Sequence, residues 1–413
     1  MPAAATPRKT LIFHIGDHKT GSTSIQYAFA QKQVRLEGAS VFYPAKITMN
    51  MLRRHFDAAE DGSSPKAAAR AEKAFADLGT RLKAATEDYC LVSAEGFEKV
   101  PAATFHQTLK THWAEGDERL RVIAYARPHA ARVMSSFAER VKIGLRAVVD
   151  ATPDAFFDQM REIDRFQYHP RFQSWRDEFG AAFLLRPMIR TRLREGDVVR
   201  DFIHEAFDGR PFELLEGAAA NESLCLEDLM RLKVVQMELR KLPPRVRHSF
   251  GWEFGRVLAT LPPPETRTKL ELHKSLAERI RAEYLEDARA MDRDFFGGES
   301  VLETELDRAC DTARAEPQSV CPSDYLSGEE LRSVTLMGRI LAGIFENDQV
   351  NWPVFLFEKR LQEVREVARA VAGGRTGGGG QGGGGKNRLR KSNKPGKQGK
   401  AGKPGKAQGR TTA

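Results

Sequence analysis

The 413-residue chain has no run approaching the ~18 uninterrupted apolar residues of a helical membrane span. Its opening, MPAAATPRKT, lacks the apolar core of a signal peptide, which gives the expectation of a cytoplasmic protein. Cysteine is scarce. The four present, Cys90, Cys225, Cys310 and Cys321, are scattered and form no CxxC pair, which argues for reduced thiols and against a structural zinc site. Charge balance is also missing from one place. From Gly373 on there are 11 Lys/Arg and no Asp or Glu, so 54 basic and 56 acidic residues remain before it. The net charge of +9 therefore belongs to the tail, and the body, at −2, is nearly neutral.

Apolar residues make up 41% of the chain, enough for a real core, and the length allows one large domain or two ordinary ones. Short runs rich in β-formers occur at Thr10–Ile15, Tyr89–Ser93, Leu120–Ala126 and Ala181–Leu185. Helical patterns separate them at Ser22–Val34, Ala67–Ala85, Ala102–His112 and Pro128–Lys142. Strands spaced by helices predict an α/β fold with a parallel sheet flanked by helices. After about Asp197 the pattern turns helical. Leu276, Ile280, Tyr284, Ala288, Met291 and Phe295 form one apolar stripe, preceded by a break at Pro262–Pro264. Two more amphipathic stretches, about Glu329–Phe345 and Val354–Val371, read as a helical appendage. The tail has 15 glycines and one leucine, a composition that predicts disorder.

The stretch FHIGDHKTGSTSIQ, residues 13 to 26, has the order of a phosphate cradle: strand, glycine, lysine, glycine, hydroxyls, helix. Such a turn aims free N–H groups and the positive end of the helix dipole at one point. Gly16 and Gly21 allow close backbone turns, and Thr23 with Gln26 fits a capping box. The usual phosphate loop is G-x-x-x-x-G-K-[ST]. Here the order is Gly16-x-x-Lys19-x-Gly21-Ser22-Thr23, with the lysine before the second glycine.

That order resembles the 5′-phosphosulfate loop of the sulfotransferases, which use 3′-phosphoadenosine-5′-phosphosulfate (PAPS) and have a fold similar to the nucleotide kinases. In VIAYARPHAARVMSSFAERVKIG, residues 122 to 144, Arg127 ends a strand and Ser135 follows eight residues later on a helix. This resembles the arginine and serine with which that family holds the donor's 3′-phosphate. A guanidinium can grip a phosphate through two N–H groups at once. The resemblance runs from about Thr10 to Phe296 and is nearest to the bacterial branch, whose first motif reads roughly HIG-x-x-KTG-[ST]-[ST]. The small-molecule enzymes' Gly- and Lys-rich donor loop is not seen. The resemblance implies a P-loop-like sulfotransferase α/β domain over 10–300, and the patterns on either side of it give a flexible segment 1–9, a helical extension over 301–372 and a disordered basic tail over 373–413.

It also implies chemistry. Lys19 would stabilise charge on the oxygen bridging sulfur and the 5′-phosphate. Gly16, Thr20, Gly21, Ser22, Thr23 and Ser24 would hold that phosphate, and Arg127 and Ser135 the 3′-phosphate. The family works without a metal, so none is expected. The acceptor is a hydroxyl, which needs a base. Glu95, just past a strand in CLVSAEGF, resembles the base of the carbohydrate sulfotransferases, and that analogy makes a carbohydrate the expected acceptor. His18 is the other candidate, with His14 behind it. Lys142, in ERVKIG, reads either as a ligand contact or as a lysine meeting the helix dipole. Arg186, past a strand end in LLRPM, reads either as a substrate guide or as a structural pair.

Two other readings compete. The first is an atypical magnesium-dependent P-loop kinase or nucleotide hydrolase, whose nearest metal site is Ser93-Ala94-Glu95. The second is a non-catalytic polyanion-binding protein acting through the tail, where 11 positive charges would attract polyanions but no aromatic residue offers base stacking.

Overall fold

The structure is a computed structural model, and it describes residues 9–61, 64–215 and 224–373. The tail, apart from Gly373, and the first eight residues lie outside the described residues. Gly373 itself closes the helix Trp352–Gly373.

The protein is α/β. Five parallel strands, β1 (Thr10–Gly16), β3 (Val41–Phe42), β4 (Tyr89–Ser93), β5 (Arg119–Ala126) and β6 (Phe183–Pro187), form one sheet in the order β3-β4-β1-β5-β6. β1 and β4 are buried along their whole length. Helices cover both faces, which is why these strands read as unbroken apolar runs. Leu11, Phe13 and Ile15 point into one core and Ile12 into the other, as the two-residue period of a strand requires. A second, antiparallel ribbon pairs β2 (Val34–Leu36) with β7 (Phe212–Leu214).

Several elements differ from the sequence expectation, among them the short strands β2 and β3, which belong to none of the four expected strand runs. The helix opened at Ser22 stops at Ala30, because Lys32 turns the chain with φ 58° and Val34 pairs with Leu214. The fourth strand starts at Phe183, since Gly180–Ala182 form a 3-10 turn and Val122 sets the register opposite Phe183. Strand β7 interrupts the helical half, where a short FEL segment finds a partner only in β2. The helices Lys274–Phe295, Gly328–Phe345 and Trp352–Gly373 agree with the expected stretches. The stripe Leu276, Ile280, Tyr284, Ala288 and Met291 is buried in the main core. Leu302 and Leu306 of the helix Val301–Thr312 join that same core, so residues on both sides of position 300 share it.

β1 is central. The chain leaves β1 toward the β3–β4 side and leaves β5 toward β6, so the C-terminal ends of β1 and β5 lie side by side where the connections part. In an open parallel sheet this is where ligands bind. The loop Asp17–Gly21 follows β1, and Arg127 follows β5.

Candidate active site

Two glycines shape the loop. Gly16 has φ 100°, and a Cβ there would lie 3.0 Å from the Glu95 carbonyl oxygen, so only glycine lets β1 end against the end of β4. Gly21 has φ 79°, and a Cβ would come 2.6 Å from Val198 Cγ1. Gly21 is also the N-cap of helix Ser22–Ala30, and no side chain caps that helix. The proposed capping box is absent: Gln26 sends its amide to Ser93 Oγ at 3.3 Å instead. Among the described residues, the backbone N–H groups of Gly21 through Ser24 meet no protein acceptor, while Thr20 closes a turn on Asp17. A bare helix start of this kind is an anion cradle.

The hydroxyls divide. Thr20 Oγ1 donates to the Asp17 carbonyl at 2.5 Å and Ser22 Oγ to the same oxygen at 3.2 Å, both buried. They hold the loop's shape, and in this arrangement Ser22 presents its N–H to the open side while its hydroxyl is turned to Asp17. Thr23 and Ser24 are half-buried on the open side.

Behind the loop lies a buried ion network. Asp17 takes Arg132 at 2.9 Å and Arg171 at 2.9 Å. Burial would raise the Asp17 carboxyl, but the guanidinium groups of Arg132, Arg171 and Arg165 outweigh it and hold the group below the usual carboxylate range. Glu98, also buried, takes Arg165 and, at 3.5 Å, Arg132. Arg132 donates to the His18 carbonyl as well. The His18 N–H donates to Asp17 Oδ1 at 2.7 Å and to Glu98 Oε2 at 3.1 Å. The loop is thus clamped from beneath by charge.

His18 Nδ1 lies 2.8 Å from Glu98 Oε1. Burial, then Arg132, lowers the imidazole to about 3. It is neutral and weakly basic at physiological pH. His14, behind it, is fully buried, bonds Ser93 Oγ at 2.8 Å, and is lowered by burial to about 3. The ligand atoms of Asp17, His18 and Glu98 lie within 4.8 Å of one another, a spacing that suits a metal ion. Both carboxylates already face arginines, so a cation there would compete with three guanidinium groups.

On the open side Lys19, at φ 65°, sends its ammonium to Glu139 Oε2 at 3.3 Å. Burial pushes the Glu139 carboxyl up, while Lys19 and Lys142 pull it down further, and it ends below its ordinary value. Glu95 opens the 3-10 turn Glu95–Lys99 after β4 and accepts from Asn50 Nδ2 at 3.2 Å. Burial, then the neighbouring Glu139 charge, raises the Glu95 carboxyl to about 7, against the opposing pull of Lys19 and Arg132.

Arg127 Nη1 donates to the Lys19 carbonyl at 2.8 Å, and Tyr168 donates to the Arg127 carbonyl at 2.8 Å. Ser135 Oγ donates to the Arg132 carbonyl at 3.2 Å, one helical turn from Glu139. Lys142 puts its ammonium 4.2 Å from the centre of the Trp252 ring, a contact that neither sequence reading anticipated. Arg186 lies inside β6 and not past its end, because the strand runs on to Pro187 opposite Ala126, and it pairs with Asp201 at 2.7 Å, the structural alternative. Asp17, Glu98, Arg132, Arg165, Arg171 and Glu139 were not singled out from the sequence.

No protein-family model matches the chain. No curated protein matches it either.

Proposed function

We propose that the protein is a sulfotransferase of the PAPS-dependent, P-loop-like kind, moving a sulfuryl group to an acceptor hydroxyl. The observation that carries this is the junction of Lys19, Glu139 and Glu95 at the mouth of an uncapped helix start. The N–H groups of Gly21 to Ser24, free among the described residues, suit a 5′-phosphate. Arg127 suits a 3′-phosphate after its Nη1 exchanges the Lys19 carbonyl for it. Lys19 suits the bridging oxygen once its ammonium leaves Glu139.

Glu95 is the base in this reading. A carboxyl poised near 7 can take a proton at neutral pH, whereas an imidazole at about 3 is a poor acceptor. As the acceptor oxygen bonds to sulfur, its proton passes to Glu95. The bond from sulfur to the 5′-phosphate oxygen breaks, and 3′,5′-bisphosphoadenosine leaves with that oxygen's charge facing Lys19. A carbohydrate hydroxyl is the acceptor we favour. In the competing magnesium site Ser93 Oγ is engaged otherwise, held by His14 and Gln26.

The test is release of the bisphosphate from PAPS in a chelator, with excess hydroxyl acceptor, for the native protein and Lys19→Ala. The reading predicts metal-independent release that falls roughly 10²–10³-fold in the variant. Equal release from both proteins would contradict it.

A further inference from the structure

The helix Gly328–Phe345 is apolar on two opposite sides. Its inner side packs on the helix Leu226–Glu238. There Phe345 is buried with Val235, Val334 and Leu341 pack beside them, and a Cβ at Gly338 would lie 3.1 Å from Glu238 Cγ. Its outer side carries Leu336, Met337, Ile340 and Ile344, which the helical period gathers into one stripe. They are 58%, 54%, 48% and 47% exposed. Gly343 lies on the same stripe, with open space where a Cβ would stand. A helix that is apolar all round belongs in an interior, yet the described residues leave this outer side uncovered.

The helix is a firm platform. The Glu330 N–H donates to Ser327 Oγ at 3.3 Å, and the Ser327 N–H donates to the Glu330 carboxylate at 2.9 Å, a complete capping box. The apolar surface continues past its other end. The Trp352 ring lies 5.1 Å from Phe345 and 5.8 Å from Phe355, centre to centre, and Val354 and Phe355 are both exposed. An exposed apolar patch of this extent marks a contact surface.

The stripe is complementary to itself. Two such helices, antiparallel with Ile340 at a two-fold axis, set Ile340 against its own copy, Leu336 over the open Gly343, and Met337 beside Ile344. The same pairing brings Arg332 toward Glu346, both exposed and without an ion pair among the described residues. It also sets the positive end of each helix dipole beside the negative end of the other. A lipid surface fits less well, because Glu329, Glu330, Glu346 and Asp348 stand at the ends of the stripe and would meet anionic headgroups.

We propose that the outer face of the helix Gly328–Phe345 is a dimer interface, and that its occupant is the same helix of a second copy of this chain, antiparallel about Ile340. The proposal stands on this helix and not on the sulfotransferase reading. A standard interface buries ~800 Å² per partner, and one helix face with its rim lies at or below that, which fits a reversible dimer of roughly micromolar affinity.

Sedimentation velocity of the full-length protein from ~1 to ~200 µM, at constant ionic strength, tests the interface. The native protein is expected to pass from monomer to dimer across that range. Ile340→Asp changes an exposed side chain, so it should keep the native thermal midpoint while weakening the dimer at least ~30-fold. Arg332→Glu is expected to weaken it at least ~5-fold, and Glu346→Lys added to that variant to recover the loss. A native protein that stays monomeric throughout overturns the proposal, and so does a dimer that Ile340→Asp leaves intact. A dimer that Arg332→Glu leaves unchanged overturns the antiparallel register.

Discussion

Lys19 Nζ lies 3.3 Å from Glu139 Oε2, which ties the turn after β1 to the helix that follows β5. The lysine thus has a carboxylate to leave when an anion arrives, and the carboxylate adds to the field that raises Glu95. Lys19→Ala is expected to lower turnover roughly 10²–10³-fold, with a smaller loss in donor affinity. Glu139→Gln should move the Glu95 titration to lower pH, since it removes a like charge. A pH–rate profile of each variant checks both expectations.

Glu95→Gln should lower turnover at least ~10²-fold while leaving bisphosphate affinity unchanged. The base acts deprotonated, so kcat/KM of the native protein should rise with pH through about 7, and that rise should vanish in the variant. Stability moves the other way. The folded-state pKa of Glu95 lies above its unfolded value, so the folded protein holds the proton more tightly and loses stability as pH rises from about 4.5 through about 7. Above pH 7 the variant should therefore be the more stable protein, by up to ~3 kcal/mol, as read by chemical denaturation.

Arg132 is 1% exposed and serves Asp17, Glu98 and the His18 carbonyl together. Arg132→Met leaves two buried carboxylates short of a partner. A loss of about 3–5 kcal/mol in urea unfolding is expected. A loss below 1 kcal/mol would show that the network does not hold the loop.

Gly21→Ala places a Cβ against Val198 and keeps a left-handed backbone. Destabilisation of roughly 1–3 kcal/mol is expected. Val198→Ala in the same protein should recover the steric part only, and the double-mutant cycle separates the two costs.

His14 is fully buried and lowered to about 3. The unfolded chain takes its proton near pH 6.5 and the folded chain does not, so stability should fall as pH drops from about 6.5 toward 3. The slope from this one group is about 1.4 kcal/mol per pH unit. Thermal unfolding of His14→Asn at pH 7 and pH 5 should show a smaller difference than the native protein.

Much of this site was legible because its residues follow strand ends. Gly16, Lys19, Glu95 and Arg127 each come just after a run that reads as a buried parallel strand, and the sheet order brings those ends together. The clamp beneath the loop was not legible. Asp17 meets Arg132 and Arg171 across long stretches of chain, and periodicity carries no information about such pairs. One signal was available: Arg132 lies one turn before Ser135 on the same side of the helix His129–Lys142, away from the apolar face of Ala130, Val133, Phe137 and Val141, and is still buried. Glu139 gave another, one turn beyond Ser135 on that helix. The early end of the first helix depended on β7, a three-residue strand whose pairing partner lies far away in sequence.

The central claim is that the cradle takes a sulfuryl donor, and the most direct measurement is calorimetric binding of 3′,5′-bisphosphoadenosine beside ADP and ATP, with and without magnesium. These ligands share adenosine and differ in the 3′-phosphate assigned to Arg127. Tight, metal-independent binding of the bisphosphate, weakened at least ~10-fold by Arg127→Ala, is the predicted result. A preference for ATP with magnesium would contradict the account and make the protein a nucleotide-binding enzyme of the kinase kind.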